Sequence, residues 1–302
     1  MQRRKCLPTS HPNIATIRDM VPSGLTSPIN LMICSRTARR YSKTVQSRLH
    51  TGPTPDECFV SIGNGLNVSA PPFCLFQMAG ELPLVKLIEL GFEFCGSYSL
   101  PAISEYSHGS EYEDTDKTLY DCPQLTNIEA LNNFKSLMKG VNGQKKANRA
   151  LCYIADGSAS PMETIIIMLL TLPYKLGGFG LPMPELNKHI APRNAIKGGA
   201  GERSSRIPDY KCDLYWPKAK LAIEYDSDFY HTGADRIARD SKRRFDLMTL
   251  GITVVSVTSR QIRNRVEFEN LARLIARKLD KRLRYNNLQF SKTNRELRDF
   301  LL

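Results

Sequence analysis

Three carboxylates, Asp213, Glu224 and Asp226, stand within two short runs of the sequence, Lys211-Cys212-Asp213-Leu214-Tyr215-Trp216 and Leu221-Ala222-Ile223-Glu224-Tyr225-Asp226. Both runs have the aromatic and β-branched content of strands. The intervening Pro217-Lys218-Ala219-Lys220 is a polar connection of hairpin length. Pairing Trp216 with Leu221 across it sets Tyr215 against Ala222, Leu214 against Ile223, and Asp213 against Glu224. Two like charges then face each other with Cβ atoms roughly 5 Å apart, an arrangement that destabilises a sheet. Asp226 shares their face, because strand side chains repeat every second residue. Three acids on one face call for a compensating cation, and an all-oxygen donor set suits a hard divalent metal.

The elements that must position these acids lie in residues 158–284. Ser160-Pro161-Met162-Glu163 opens an apolar helix with proline at its first position. Its Ser-x-x-Glu pattern is a capping box, which explains Glu163 without any chemistry. The helix runs to Pro173. A Gly177–Gly180 loop, a strand over Glu185–Ile190 and a Gly-, Arg- and Ser-rich loop over 191–209 follow. After the acidic hairpin come a helix over Asp235–Leu250 closed by Gly251, a buried strand over Ile252–Thr258 and a long basic helix over Gln261–Arg284. On the first of these helices Arg236, Asp240 and Arg243 share one face, while Ile237, Phe245 and Met248 are expected to face the core. The order of elements predicts a mixed α/β layer of about one domain.

The rest of the chain is organised around that domain. Residues 1–50 predict a basic, poorly ordered arm in which Thr37–Leu49 form one basic helix. Residues 51–157 predict a mainly helical domain. It carries a small hairpin, Cys58–Ile62 with Leu66–Ser69 around Gly63-Asn64-Gly65, and two short helices within Pro71–Gly91. An acidic loop over Leu100–Pro123 follows. A helix opens at Thr126-Asn127-Ile128-Glu129, read as a capping box, and runs to Lys139; another spans Gln144–Ala155. Residues 285–302 predict a polar tail.

The chain of 302 residues carries a net charge of +12 and a pI near 9.3, which favours an acidic partner, nucleic acid first. Charge is uneven: residues 1–50 hold nine lysines and arginines against the single acid Asp19. The eight cysteines form no Cys-x-x-Cys pair and no zinc spacing. A reducing cytoplasm is the expected compartment. The longest apolar run, Ile165–Pro173, is too short to span a bilayer, so no membrane partner is expected. The Arg- and Ser-rich, acid-poor start has the composition of an organellar transit peptide or of a basic arm, and the arm is the preferred reading.

An acid on the second strand and Glu-x-acid on the third resembles the PD-(D/E)XK nuclease superfamily. The hairpin together with His231, Asp240, Arg243 and the Gly251-Ile252-Thr253-Val254-Val255 run is similar to an uncharacterised bacterial branch allied to the very-short-patch-repair endonucleases. The resemblance covers about residues 158–265. It implies a restriction-endonuclease-like mixed sheet flanked by helices, preceded by the mainly helical N-terminal region. It also implies Mg2+, or Mn2+, held by Asp213 and Glu224 and joined by Glu163 from the first helix. His231 would move a proton. Arg236, Arg239, Lys242 and Arg243, with Arg273 and Arg277 on the last helix, would contact DNA phosphates. The chain departs from the motif two residues after Glu224, where Asp226 replaces the usual lysine; the resembling branch also tends to carry Asp there. Gly65-Leu66-Asn67-Val68-Ser69-Ala70-Pro71 faintly resembles abortive-infection antitoxin regulators. The expected function is therefore a metal-dependent DNA endonuclease of repair or of defence against phage and mobile elements. The alternative is a non-catalytic DNA-binding or antitoxin-like regulator with a degenerate nuclease fold. A second copy of the chain or an operon-encoded protein is the candidate further partner.

Overall fold

The computed structural model describes residues 28–39, 42–63, 65–101, 118–190, 210–226, 234–283 and 288–302, without the side chains of 234–237 and 240. It is a mixed α/β structure that divides into two compact units. One lies within Met1–Phe94, Ser99–Leu119 and Leu125–Cys152; the other within Cys95–Tyr98, Tyr120–Gln124 and Tyr153–Leu302. No helix among the described residues is long and apolar enough to cross a membrane. The described cysteines are free thiols.

The first unit begins with a parallel pair, β1 (Ile29–Ile33) and β2 (Val45–Leu49). This corrects the basic helix expected over Thr37–Leu49. Val45 and Ser47 are buried and Arg48 is exposed, a two-residue period that a strand satisfies and a helix does not. The expected hairpin is present as β3 (Phe59–Gly63) and β4 (Leu66–Ser69). Four helices follow: α1 (Pro71–Met78), α2 (Leu84–Phe94), α3 (Ile128–Phe134) and α4 (Gln144–Leu151). They enclose Phe73, Phe76, Leu87, Ile88, Phe92 and Leu131, each at most 1% exposed. The side chain that caps α3 is Asn127, which accepts the Ala130 amide at 2.8 Å. That displaces the Thr126–Glu129 box expected there, because Asn is itself a strong cap.

The second unit also holds the Tyr98 end of a two-residue pairing between β5 (Tyr98–Ser99) and β6 (Leu119–Tyr120). Helix α5 (Pro161–Thr171) opens on Ser160, whose Oγ accepts the Glu163 amide at 3.2 Å. Its Ile166, Ile167, Met168, Leu169 and Leu170 are fully buried. A four-stranded sheet follows in the order β10-β9-β8-β7, with β7 (Glu185–Ile190), β8 (Tyr210–Trp216), β9 (Leu221–Asp226) and β10 (Thr253–Thr258). The pairs β7–β8 and β8–β9 are antiparallel, and β9–β10 is parallel. The parallel step is made through helix α6 (Ala234–Thr249). Leu221, Ala222 and Ile223 are all fully buried, so both faces of the central strand β9 are covered.

Two expectations for the C-terminal part change. The long basic helix is two helices, α7 (Ser259–Arg263) and α8 (Arg265–Lys278), because Asn264 caps α8 by accepting the Val266 and Glu267 amides. Residues expected as a polar tail include α9 (Leu288–Leu301), which is integral to the unit. Its Phe290 packs edge-on against Tyr174, and Asn294 donates to the Gly177 carbonyl at 2.7 Å. Arg298 donates to the carbonyls of Ile262 and Arg263 at 2.6 and 2.9 Å and stacks over Phe268. Gly177, at φ 89°, lies so close to α9 that a Cβ would meet the Thr293 carbonyl oxygen at 2.3 Å.

Leu297 is 3% exposed, and Leu288 on the same helix is 91% exposed. Leu297→Ala is expected to cost about 2–5 kcal/mol in denaturant unfolding. Leu288→Ala should change stability by less than about 0.5 kcal/mol. Equal, small effects would show that α9 does not contribute to the core.

Candidate functional site

The β8–β9 ladder runs Trp216↔Leu221, Tyr215↔Ala222, Leu214↔Ile223, the register expected from the sequence, and stops there. The next step would set Asp213 opposite Glu224. Instead the Tyr225 amide donates to Asp213 Oδ2 at 2.8 Å. Asp213 Oδ1 accepts no hydrogen bond among the described residues. The break extends to the flanking strand. Leu186↔Leu214 and Lys188↔Cys212 pair on either side of Asn187, which sits at φ 47°. Cys212 joins Ala222, Leu247 and Ile252 in a buried cluster against which Tyr215 packs. Asp213 is not the paired neighbour of Glu224 that a regular hairpin predicts, because the ladder ends one step before it.

Glu224 faces α6 and is bound there by a guanidinium. Arg243 Nη2 reaches Glu224 Oε1 at 2.6 Å and Nη1 reaches Oε2 at 2.9 Å, a two-pronged pair with side chains 29% and 14% exposed. Arg243 Nη2 also donates to the Lys211 carbonyl. The cation that the sequence demanded for these acids is thus supplied in part by the protein itself. Cys212 lies against the same pair, and burial, reinforced by the Glu224 charge, pushes its thiol up to about 11.

Glu163 approaches from α5. Its Oε2 accepts the Ala159 amide at 2.9 Å and Asn187 Nδ2 at 2.7 Å, and Ser160 Oγ donates to Oε1 at 3.0 Å. The reach-back goes to Ala159, one residue before the cap, rather than to Ser160. Asn187 Nδ2 also donates to the Gly157 carbonyl at 2.7 Å. Asn187 therefore ties the start of α5 to the strand position across from Asp213. Sequence reasoning missed it; the signal was an Asn inside a strand run, the residue type that tolerates the left-handed conformation.

All three carboxyls are held above their ordinary range. Burial raises Asp213, against the Tyr225 amide, Arg243 and Lys211. Burial raises Glu224, with Asp213 adding to it and Arg243 and Arg244 opposing. Burial raises Glu163, again helped by Asp213. Asp213 is felt by both glutamates and so stands electrostatically between them. Among the described residues no three His, Cys, Asp or Glu side chains form a group that could hold a metal ion. A donor set for a hard cation would be Asp213 Oδ1 with one Glu224 oxygen, which suits oxygen-seeking metals.

The remaining expected residues are dispersed. Asp226 ends β9 and lies beside Thr258 of β10 in register, half-buried. His231 lies outside the described residues, as do the side chains of Arg236, Asp240 and Ile237. Arg239, Lys242 and Arg244 are exposed on α6, and Arg244 donates to Ser256 Oγ at 3.0 Å. Phe245 and Met248, expected in the core, are 65% and 68% exposed; among the described side chains of α6 the buried one is Leu247, with Arg243 and Asp246 half-buried. Arg273 on α8 is engaged by Glu269 and Asn270, and Arg277 is exposed.

No protein-family model matches the chain, and no solved structure matches it. Two uncharacterised proteins of Mycobacterium tuberculosis, from strains CDC 1551 / Oshkosh and ATCC 25618 / H37Rv, are each similar to it at 34% identity over 138 residues. The similarity covers 45% of this chain and 43% of each relative.

The raised Asp213 value makes a prediction about stability. A carboxyl whose folded pKa exceeds its unfolded one contributes stability that is complete below the unfolded value and is lost as pH rises through the folded value. Asp213→Asn keeps an acceptor for the Tyr225 amide and removes the charge. In chelator at pH 7 it is expected to melt at or above wild type, with the advantage vanishing near pH 4, about the ordinary Asp range. A variant that melts below wild type at pH 7 would show that the fold needs the charge itself.

Proposed function

We propose that the β8–β9 edge is the active site of a metal-dependent DNA endonuclease, hydrolysing phosphodiester bonds in repair or in defence against phage and mobile elements. The observation that carries this reading is the interruption of the hairpin at Asp213, which leaves Oδ1 without a donor among the described residues and near enough to Glu224 for the two charges to oppose each other. A purely structural sheet gains nothing from two half-buried acids at a broken ladder. The four-stranded mixed sheet with α5 leading into it supports a restriction-endonuclease-like fold for Tyr153–Leu302.

In this reading Asp213 and Glu224 would hold Mg2+ or Mn2+, which when bound would polarise a phosphate oxygen and acidify water. Glu163 acts as a positioning residue, because its oxygens already serve the α5 start and Asn187. Asp226 orients the attacking water at the end of β9. Arg239 and Lys242, exposed on α6, balance the phosphate charge. Arg236 joins them and His231 moves a proton, roles that rest on the family resemblance. Arg277 extends the basic track along α8.

A second reading has its own support. Glu224 has both oxygens engaged by Arg243, and Asp226 stands where a catalytic lysine is usual. A DNA-binding regulator that retained the sheet without the reaction fits these two features.

Incubation of the purified chain with plasmid and oligonucleotides separates the readings. Cleavage in Mn2+ or Mg2+ and none in chelator is expected. Asp213→Asn and Glu224→Gln should each lower the rate by at least about 100-fold, the scale of removing one electrostatic stabiliser, while staying folded. Glu163→Gln should retain measurable cleavage. DNA binding without metal-dependent cleavage in wild type would favour the regulator.

A further inference from the structure

The Arg243–Glu224 pair has a consequence for metal binding. Glu224 is 14% exposed and both of its oxygens are taken by one guanidinium, at 2.6 and 2.9 Å. A hard cation bound by Asp213 Oδ1 needs an oxygen of Glu224, and each of those oxygens already holds an N–H of the guanidinium. A positively charged guanidinium and a divalent ion also repel each other at such separations. The guanidinium has a second anchor, the Lys211 carbonyl, so it can leave the carboxylate without leaving the site.

We infer that Arg243 is a built-in stand-in for the divalent cation, holding Glu224 in the metal-free protein and excluded from it when metal binds. The inference rests on the metal-site reading above and adds its regulation: the site is closed by an internal cation, and metal affinity is set by the cost of opening that pair. Arg243 is a positioning residue in this account. Arg244 provides the control. It lowers the Glu224 pKa through space, but its guanidinium is bonded to Ser256 and not to Glu224.

Mn2+ binding to the full chain, measured by calorimetry, tests this. Arg243→Lys keeps the charge and removes the planar fork that matches a carboxylate. It should bind Mn2+ about tenfold tighter than wild type, because the flexible ammonium holds the carboxylate by one contact in place of two. Arg244→Gln removes a charge without touching the pair and should tighten binding less than Arg243→Lys does. Binding in wild type that requires Asp213 but is unchanged or weakened in Arg243→Lys would overturn the inference and leave the metal site standing. Absence of any Asp213-dependent Mn2+ binding in wild type and in Arg243→Lys would overturn both.

A second measurement needs no variant to fold well. In wild-type protein labelled with 15N-arginine, a guanidinium held at both ends gives slowly exchanging Nη signals. Saturating Mg2+ should abolish those of Arg243. Their persistence in the Mg2+-bound protein would overturn the inference.

Discussion

At the open end of the β8–β9 hairpin a side chain takes over from the main-chain ladder: the Tyr225 amide donates to Asp213 where strand pairing stops. A buried amide must find an acceptor, and a carboxylate is a strong one. The bond holds the Asp213 side chain within the hairpin while its second oxygen accepts nothing from the described residues. The left-handed Asn187 on β7 accompanies it. The remaining acids are arranged around that point. Glu163 reaches Asn187 from α5, and Glu224 is clasped from α6.

The site is strained electrostatically rather than sterically. Burial works against ionisation of all three carboxyls, and Asp213 adds repulsion to both glutamates. One guanidinium offsets part of this charge. Each enclosed acid that stays ionised lowers stability relative to a neutral isostere, a cost that the proposed cation would offset. The same logic separates Glu163 from the other two. Its hydrogen bonds close the start of α5 and fix β7, a structural task that suffices to explain it.

The legible part of the site was local. The hairpin register could be counted residue by residue from Trp216 and Leu221 because alternation and loop length are short-range properties. It failed at Asp213, where a side-chain acceptor and a left-handed Asn on another strand intervene. The phase of α6 was misread for a related reason. Its apolar residues Phe245, Leu247 and Met248 fall around the helix, and only packing against Ala222 and Ile252 selects Leu247. Helix α9 was hidden by its polar composition. Its stripe is Phe290, Asn294, Leu297 and Leu301, and one of those buried positions is an amide serving Gly177. The parallel β1–β2 pair joins segments that carry no turn signal between them, so local pattern could not find it.

The central claim is that Asp213 and Glu224 together accept one divalent cation. Anomalous scattering from crystals of this chain grown with Mn2+ tests it most directly. The account predicts a manganese peak within about 2.0–2.4 Å of Asp213 Oδ1 and a Glu224 oxygen, the range of hard-cation oxygen bonds. A map with no manganese at this edge, and Glu224 still bound through both oxygens to Arg243, would contradict it.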